Sequence, residues 1–186
     1  MSRLLVLDTE TGGLDATRHS LLSLGLVALV DGRGTAEREL LVRHEPYVVT
    51  GGGMKVNRID LAAHHAKALA PEAAADALEA FCADHLGEGP VTLVGHNIAF
   101  DRAFLGTFLA SLGRELEPRF SHRTVDTHAL AFGLQQAGRL PADLRLSSDG
   151  LFAHFGILVP EPLRHTALGD ARATAELYLK LVEVAR

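Results

Sequence analysis

Cysteine and aromatic side chains are scarce in this chain of 186 residues. The one cysteine, Cys82, cannot form an internal disulfide, and its apolar spacing with Leu78 and Phe81 predicts a core position without a redox role. Tryptophan is absent and tyrosine occurs twice, which argues against an extended aromatic platform for stacking single-stranded bases. The scarcity of these residues argues against a disulfide-stabilised scaffold and against a broad aromatic surface for stacking bases.

A basic excess and long apolar runs are missing as well. The net charge of −5 argues against a protein that grips duplex DNA over a long basic surface. Carboxylates that hold divalent ions would contribute to this acidity, so a nucleic-acid substrate stays open. No apolar run reaches the length of a membrane span, and residues 1–3 lead into a strand rather than a signal peptide. We expect one cytoplasmic domain, residues 1–186, with a hydrophobic content of 47% that supplies a core.

The apolar patterns predict an α/β protein with a mixed five-stranded sheet and helices on its faces. The first three strands are joined by short connections and should form an antiparallel meander, whereas helices separate the later strands. Residues 54–65 show neither period, and we interpret them as a loop with at most a helical turn. The predicted strands are 4–11, 20–30, 37–43, 91–95 and 124–127, and the predicted helices are 71–86, 99–112, 127–135, 147–155 and 168–184.

Two carboxylates stand at the end of the apolar first strand. Side chains alternate along a strand, so Asp8 and Glu10 point to one face and Thr9 to the other. A buried strand tolerates such a pair poorly unless the pair has a function, and hard oxygen ligands suit Mg²⁺ or Mn²⁺. Taken alone, an Asp-x-Glu is more often a turn cap beside a solvated acid, so the rest of the chain has to decide.

The remaining chemistry-bearing residues belong to two later segments. Residues five apart on a helix are about 140° apart around its axis, so His165 should precede the last helix if it shares a site with Asp170 in the first turn. Asp101 lies in the first turn of another helix that follows a strand, and should approach the same strand ends. Four acids can hold two divalent ions, and the His165 imidazole can take the proton of an attacking water. The sequence therefore predicts metal-assisted phosphodiester hydrolysis.

Three segments resemble the motifs of the DEDDh group of DnaQ-like 3′–5′ exonucleases, which includes the proofreading subunit of the bacterial replicative polymerase and ribonuclease T. They are DTETGG (8–13), GHNIAFD (95–101) and HTALGD (165–170). The resemblance implies a ribonuclease H-like fold, two Mg²⁺ or Mn²⁺ ions held by Asp8, Glu10, Asp101 and Asp170, and His165 as the general base. It further implies that the terminal nucleotide is contacted by Thr11, Gly12, Leu14, Asn97 and Phe100.

The implied activity is the removal of nucleoside 5′-monophosphates from the 3′ ends of single-stranded nucleic acid. DNA is favoured slightly over RNA, and roles in proofreading, repair or RNA maturation stay open. The alternative is a non-catalytic module of the same fold that binds nucleic acid or a polymerase. A phosphodiesterase for very short oligonucleotides is a third hypothesis. Arg102, Arg164 and Arg172 lie near the motifs and could hold phosphates, but a solvated arginine on a helix face is the commoner case, so we leave them out of the core site.

The chain departs from the group in two places. Gly12 stands where the proofreading subunit commonly has a threonine, which removes a hydroxyl near the terminal sugar. Residues 54–60, MKVNRID, resemble an Asn-x-Ile-Asp stretch of ribonuclease T relatives, and a homodimer would fit that resemblance. The few turns after Asp170 lack the tail with which the proofreading subunit holds its polymerase, so we expect a free-standing enzyme.

Overall fold

The computed structural model describes residues 3–186, so residues 1 and 2 of the expected domain lie outside the described part. Its centre is one five-stranded sheet in the order β3-β2-β1-β4-β5. The pairs β1–β2 and β2–β3 are antiparallel, as the predicted meander requires, and β4 and β5 continue parallel to β1. The strands are β1 Arg3–Thr11, β2 Leu21–Val30, β3 Arg33–Leu41, β4 Val91–Gly95 and β5 Phe120–Asp126.

Seven α-helices and one 3₁₀ turn, Glu161–Leu163, are present in the described part of the chain. The long helices agree with the apolar stripes, and the predicted α/β class with a mixed sheet is confirmed. The helices are α1 Gly51–Asn57, α2 Leu61–Lys67, α3 Pro71–Leu86, α4 Ala99–Ser111, α5 Thr127–Gln136, α6 Ser148–Phe155 and α7 Ala167–Ala185.

The predicted loop at 54–65 is wrong, because most of this region lies in two short helices, α1 and α2, which are joined at residues 58–60. The Thr50 hydroxyl caps α1 by accepting from the Gly53 N–H, and the Asp60 carboxylate caps α2 by accepting from the N–H groups of Ala62 and Ala63. Each helix has seven residues, too few for an amphipathic period to stand out. Polar caps, rather than an apolar stripe, mark where these helices begin.

Alternation along β1 sends its side chains to two different cores. Leu5 and Leu7 pack in the larger core with residues of α3 and α4, whereas Val6 packs against Ala171 and Ala175 of α7. Since Asp8 and Glu10 continue the alternation of Val6, they lie on the α7 face of the sheet. Cys82 is buried in the larger core as expected, and burial raises the pKa of its thiol to about 12.

Helix α7 approaches the sheet closely because β2 has a glycine at the point of contact. A Cβ on Gly25 would lie 2.0 Å from the carbonyl oxygen of Ala167, so no side chain fits between strand and helix. Gly25 pairs with Asp8 on one side and with Glu39 on the other. The glycine thereby lets the first turn of α7 reach the carboxylates of β1.

Across residues 3–186, no helix combines the length and apolar character needed to cross a membrane.

Candidate active site

Three carboxylates from two elements meet at the carboxyl end of β1. Asp8, Glu10 and Asp170 each offer an oxygen, and these oxygens lie within 4.8 Å of one another. Asp8 and Glu10 come from one face of β1, and Asp170 comes from the first turn of α7. The structure thus brings together three of the four predicted metal ligands.

Asp101 approaches from α4, on the other side of the sheet, and contacts Thr9 instead of joining the group of three. Its Oδ1 accepts hydrogen bonds from the Thr9 N–H at 2.9 Å and from the Thr9 hydroxyl at 2.8 Å. The register between β1 and β4 ends at Val6 and Val94, so α4 can reach between the strand ends. Asp101 is 5% exposed, and its charge acts on Asp8 and Glu10.

All four carboxyl groups have a raised pKa, and burial is the first cause in each case; the neighbouring acids raise the pKa further for Asp8 and Glu10. Burial, then Asp170 and Asp101, raise the pKa of Glu10 to about 8. Burial raises the pKa of Asp101 to about 7 against the lowering effect of its bonds to Thr9. Burial, then Asp101, Asp170 and Glu10, hold the pKa of Asp8 well above its ordinary value.

The pKa of Asp170 is also raised by burial, but the neighbouring Arg164 lowers it. The Arg164 guanidinium donates to Asp170 and to Asp149 of α6, and its side chain is only 17% exposed. Arg164 is therefore a half-buried counter-charge of the carboxylate group, not the solvated side chain that the sequence suggests. Arg172, by contrast, is exposed and pairs with Glu37 of β3.

The donor set fits a hard divalent cation. Among the described residues, the metal-ligating atoms that converge at this point are carboxylate oxygens, and a further positive charge would offset the burial and repulsion that raise the pKa values of Asp8 and Glu10. A bound Mg²⁺ or Mn²⁺ ion would supply that charge. The number and identity of the metals stay predictions.

His165 lies on the loop before α7, as the spacing requires. The helix begins at Ala167 with Thr166 as its N-cap, and His165 has φ +61°, a left-handed conformation that is uncommon outside glycine and concentrated at functional sites. His165 lines a cavity of about 320 Å³ together with Glu10, Glu39 and Arg164. The loop thus places an imidazole beside the carboxylate group.

A second cavity of about 320 Å³, which we call the Leu14 cavity, shares Glu10 and Asn57 with the first. Its wall includes Thr11 and Phe100. Leu14 is 88% exposed and Val56 of α1 is 60% exposed, so apolar surface is available beside the acids. Three of the five predicted substrate contacts, Thr11, Leu14 and Phe100, therefore line one cavity.

Gly12 and Asn97 do not line the Leu14 cavity. A Cβ on Gly12 would lie 2.3 Å from the Val48 carbonyl oxygen, and the Gly12 carbonyl accepts from the N–H and hydroxyl of Thr50. Gly12 therefore has a packing role, with no room for a threonine, and Gly13 is the glycine in the cavity wall. Asn97 is exposed and donates its N–H to Asp126.

The comparisons with known proteins agree with this geometry. The model of the exonuclease family, of the RNase T type, matches residues 5–178. The chain belongs to this family. The DnaQ-like 3′–5′ exonuclease resemblance drawn from the three motifs is thereby confirmed. The chain is also similar to a DNA polymerase III subunit epsilon-like protein of Rhodobacter capsulatus, with 32% identity over 183 residues.

That alignment covers 96% of this chain and 23% of the relative. The PolC-type DNA polymerase III of Thermotoga petrophila is 28% identical over 97% of this chain and 12% of its own length. The chain thus spans a quarter or less of these relatives. Escherichia coli exonuclease I in complex with a dT13 oligonucleotide superimposes with a TM-score of 0.80 at 15% identity, over 97% of this chain and 41% of that one. At this identity the likeness shows the fold.

Sequence reasoning misses several residues that shape the site, because their partners are distant in sequence. Alternation assigns Thr9 only to the opposite face of β1. Arg164 lies near a motif, but the sequence does not show that it contacts the acids, and no local pattern singles out Glu39. Asn57 falls in the wrongly predicted loop, yet its side chain donates to the Thr11 carbonyl at 3.1 Å and ties α1 to the end of β1. The Asn-x-Ile-Asp stretch contains the signal, since Asn57 and Asp60 are the polar anchors of α1 and α2.

Proposed function

We propose that this domain is a metal-dependent 3′–5′ exonuclease that hydrolyses single-stranded nucleic acid from its 3′ end and releases nucleoside 5′-monophosphates. The observation that carries the proposal is the convergence of Asp8, Glu10 and Asp170, flanked by the His165 loop and the Leu14 cavity. Family membership agrees with it. The proposed metal ligands are these three acids and Asp101.

The Leu14 cavity is the proposed seat of the terminal nucleotide. The side chains of Leu14, Val56 and Phe100 offer apolar contacts to a base, and Thr11 offers a hydroxyl and Gly13 a close backbone approach. Glu10 belongs to this cavity and to the carboxylate group, so a nucleotide bound there would bring its 5′ phosphate beside the acids. Binding at one end thus orients the scissile bond at the other.

Two divalent ions at these carboxylates would stabilise the attacking and leaving oxygens of the displacement. His165 would accept the proton of the attacking water, because it lines the cavity that adjoins Glu10 and sits on a loop rather than on a helix. Asp101 stays fixed through its two bonds to Thr9. The roles are then divided among the residues, since the acids hold cations, the imidazole accepts a proton and the cavity holds the base.

Single-stranded DNA is the proposed substrate ahead of RNA. The solved structures of exonuclease I contain dT13 and dA16 oligonucleotides, which supports a single deoxy strand in a fold of this shape. The discriminating group is the 2′-hydroxyl of the terminal sugar. Matched DNA and RNA strands of one sequence, labelled at the 5′ end, should both be tested with Mg²⁺ and with Mn²⁺.

A stepwise ladder that shortens from the 3′ end and favours DNA would support the proposal. Tight binding of the strands without shortening would support the non-catalytic alternative instead. Because both polymerase relatives are several times longer than this chain, a polymerase partner is part of the same test. Co-purification with the replicative polymerase would overturn the expected free-standing enzyme. The homodimer and the cytoplasmic location stay predictions.

A further inference from the structure

Arg164 occupies a position between the carboxylate group and the outer surface of the protein. Its guanidinium donates through one terminal nitrogen to Asp170 and through the other to Asp149. The guanidinium carbon lies 5.6 Å from the ring centre of Phe152 in α6. The arginine is thus held by one inner carboxylate, one outer carboxylate and an aromatic face.

The two carboxylates differ sharply in their surroundings. The Asp170 side chain is 16% exposed and belongs to the proposed metal-ligand group, whereas the Asp149 side chain is 77% exposed and lies on α6. A hydrogen bond from Arg164 engages Oδ1 of Asp170, an atom that a divalent cation would also attract. The Arg164 guanidinium therefore occupies a position at Asp170 where a divalent metal cation is expected to bind.

The charge of Arg164 also acts on the rest of the group. It lowers the pKa values of Asp8 and Glu10, which burial and the neighbouring acids raise. The three acids thus share one arginine as a nearby positive charge. A structure built to gather acids for a metal needs such a compensation before the metal arrives.

We propose that Arg164 is the resident counter-charge of the carboxylate group: it holds Asp170 when no divalent ion is bound, and it gives way toward Asp149 when one binds. The inference rests on the proposed function, since it treats Asp170 as a metal ligand. Asp149 and Phe152 form the outer anchor that keeps the guanidinium close after Asp170 is released. Arg164 is a positioning residue in this account.

The proposal predicts opposite effects of one substitution on two properties. Arg164→Gln should weaken the metal-free protein, because the acids lose their compensating charge. The same variant should bind Mn²⁺ more tightly by about fivefold, because a competitor for the carboxylates is gone. If Arg164 had only a structural role, Arg164→Gln would weaken both folding and Mn²⁺ binding. The sign of the second effect therefore separates the two roles.

The experiment measures Mn²⁺ binding by calorimetry or by electron paramagnetic resonance on the metal-free protein, with urea unfolding in EDTA for stability. Arg123→Gln removes one positive charge from an exposed position of β5 and is the matched control. Arg164→Lys keeps the charge and should bind Mn²⁺ as the wild type does. Asp149→Asn removes the outer anchor, commits Arg164 to Asp170 and should weaken Mn²⁺ binding.

Tighter binding by Arg164→Gln with weaker binding by Asp149→Asn supports the proposal. Unchanged or weaker binding by Arg164→Gln overturns it, and Asp149→Asn keeps the question answerable if Arg164→Gln does not fold. Failure of the proposed function would give a different result. In that case the wild type would show no Mn²⁺ binding of the kind that is lost in Asp8→Asn. That result would overturn both.

Discussion

The carboxylate of Asp101 accepts two hydrogen bonds from one residue, the backbone N–H and the hydroxyl of Thr9. Thr9 lies between Asp8 and Glu10, so this contact fixes α4 to the same stretch of β1 that provides the two acids. Alternation sends the Thr9 side chain away from the carboxylate group and toward Asp101. The residue between the acids therefore sets the position of a third acid.

Thr9→Val should lower kcat about tenfold, because Asp101 loses the hydroxyl bond while the shape of the side chain is kept. Thr9→Ser retains the hydroxyl and should stay within about twofold of the wild type. Initial rates on a 3′-labelled single strand would measure both. Equal losses in the two variants would show that the hydroxyl does not position Asp101.

His165→Gln should lower kcat/KM by about 100-fold or more, on the order of magnitude of a lost general base. Initial rates on a 3′-labelled single strand would measure this loss. His122→Gln, on β5, is the control and should retain the wild-type rate. A His165→Gln variant that keeps most of the wild-type kcat/KM would assign the proton transfer to another group.

The metal-free protein should lose stability as the pH rises from about 6 to about 8 relative to Glu10→Gln. The folded pKa of Glu10 is about 8, above its ordinary value of 4.5, so the folded state keeps a proton that the unfolded state has lost. The contribution of Glu10 is thus fully present below pH 4.5 and declines up to about pH 8. Because Glu10→Gln does not titrate at this position, the difference between the two proteins reports the titration of Glu10 together with its effect on the pKa of Asp8.

Urea unfolding in EDTA at about pH 6, 7 and 8 measures this difference. Saturating Mn²⁺ should abolish the decline, because the ion favours the charged carboxylates and releases their protons on binding. If the free energy of unfolding of the wild type instead rises relative to that of Glu10→Gln as the pH increases in EDTA, the raised pKa of Glu10 is contradicted. Proton release can be checked independently by calorimetry in two buffers of different ionisation enthalpy.

Gly25→Ala should lower the free energy of unfolding by about 2–4 kcal/mol and abolish most activity. The new methyl group would meet the Ala167 carbonyl and the Leu168 N–H, which moves the first turn of α7 and Asp170 away from β1. Gly34→Ala is the matched control, since its Cβ would meet only Leu29 Cδ2 at 4.0 Å. Similar stability of the two variants would show that α7 tolerates displacement.

Local rules are enough to predict much of the site. Alternation places Asp8 and Glu10 on one face, and helix geometry places His165 before α7 and Asp170 in its first turn. The antiparallel meander and the helices with clear apolar stripes also follow from periodicity. These predictions succeed because each depends on a single element or on two neighbours in sequence.

The features that escape prediction depend on packing between distant segments. Arg164 looks solvated from the sequence because nothing local indicates that α6 brings Asp149 and Phe152 to it. Gly12 suggests a lost sugar contact, whereas the carbonyl of Val48 occupies the space of a side chain there. The helices α1 and α2 escape prediction for a different, local reason, because polar caps at Thr50 and Asp60 mark their starts rather than a hydrophobic stripe.

The proposed exonuclease activity is tested most directly by measuring the release of nucleoside 5′-monophosphates from a 3′-labelled single strand by the wild type and by Asp8→Asn. Mg²⁺ or Mn²⁺ is added in one series and EDTA in the other. Asp8→Asn keeps the shape of the side chain and removes a proposed metal ligand. We expect mononucleotide release by the wild type with metal, none in EDTA, and a loss of about 1,000-fold or more in the variant, on the order expected for a metal-site residue. Mononucleotide release that persists in EDTA and in Asp8→Asn would contradict a metal-dependent exonuclease.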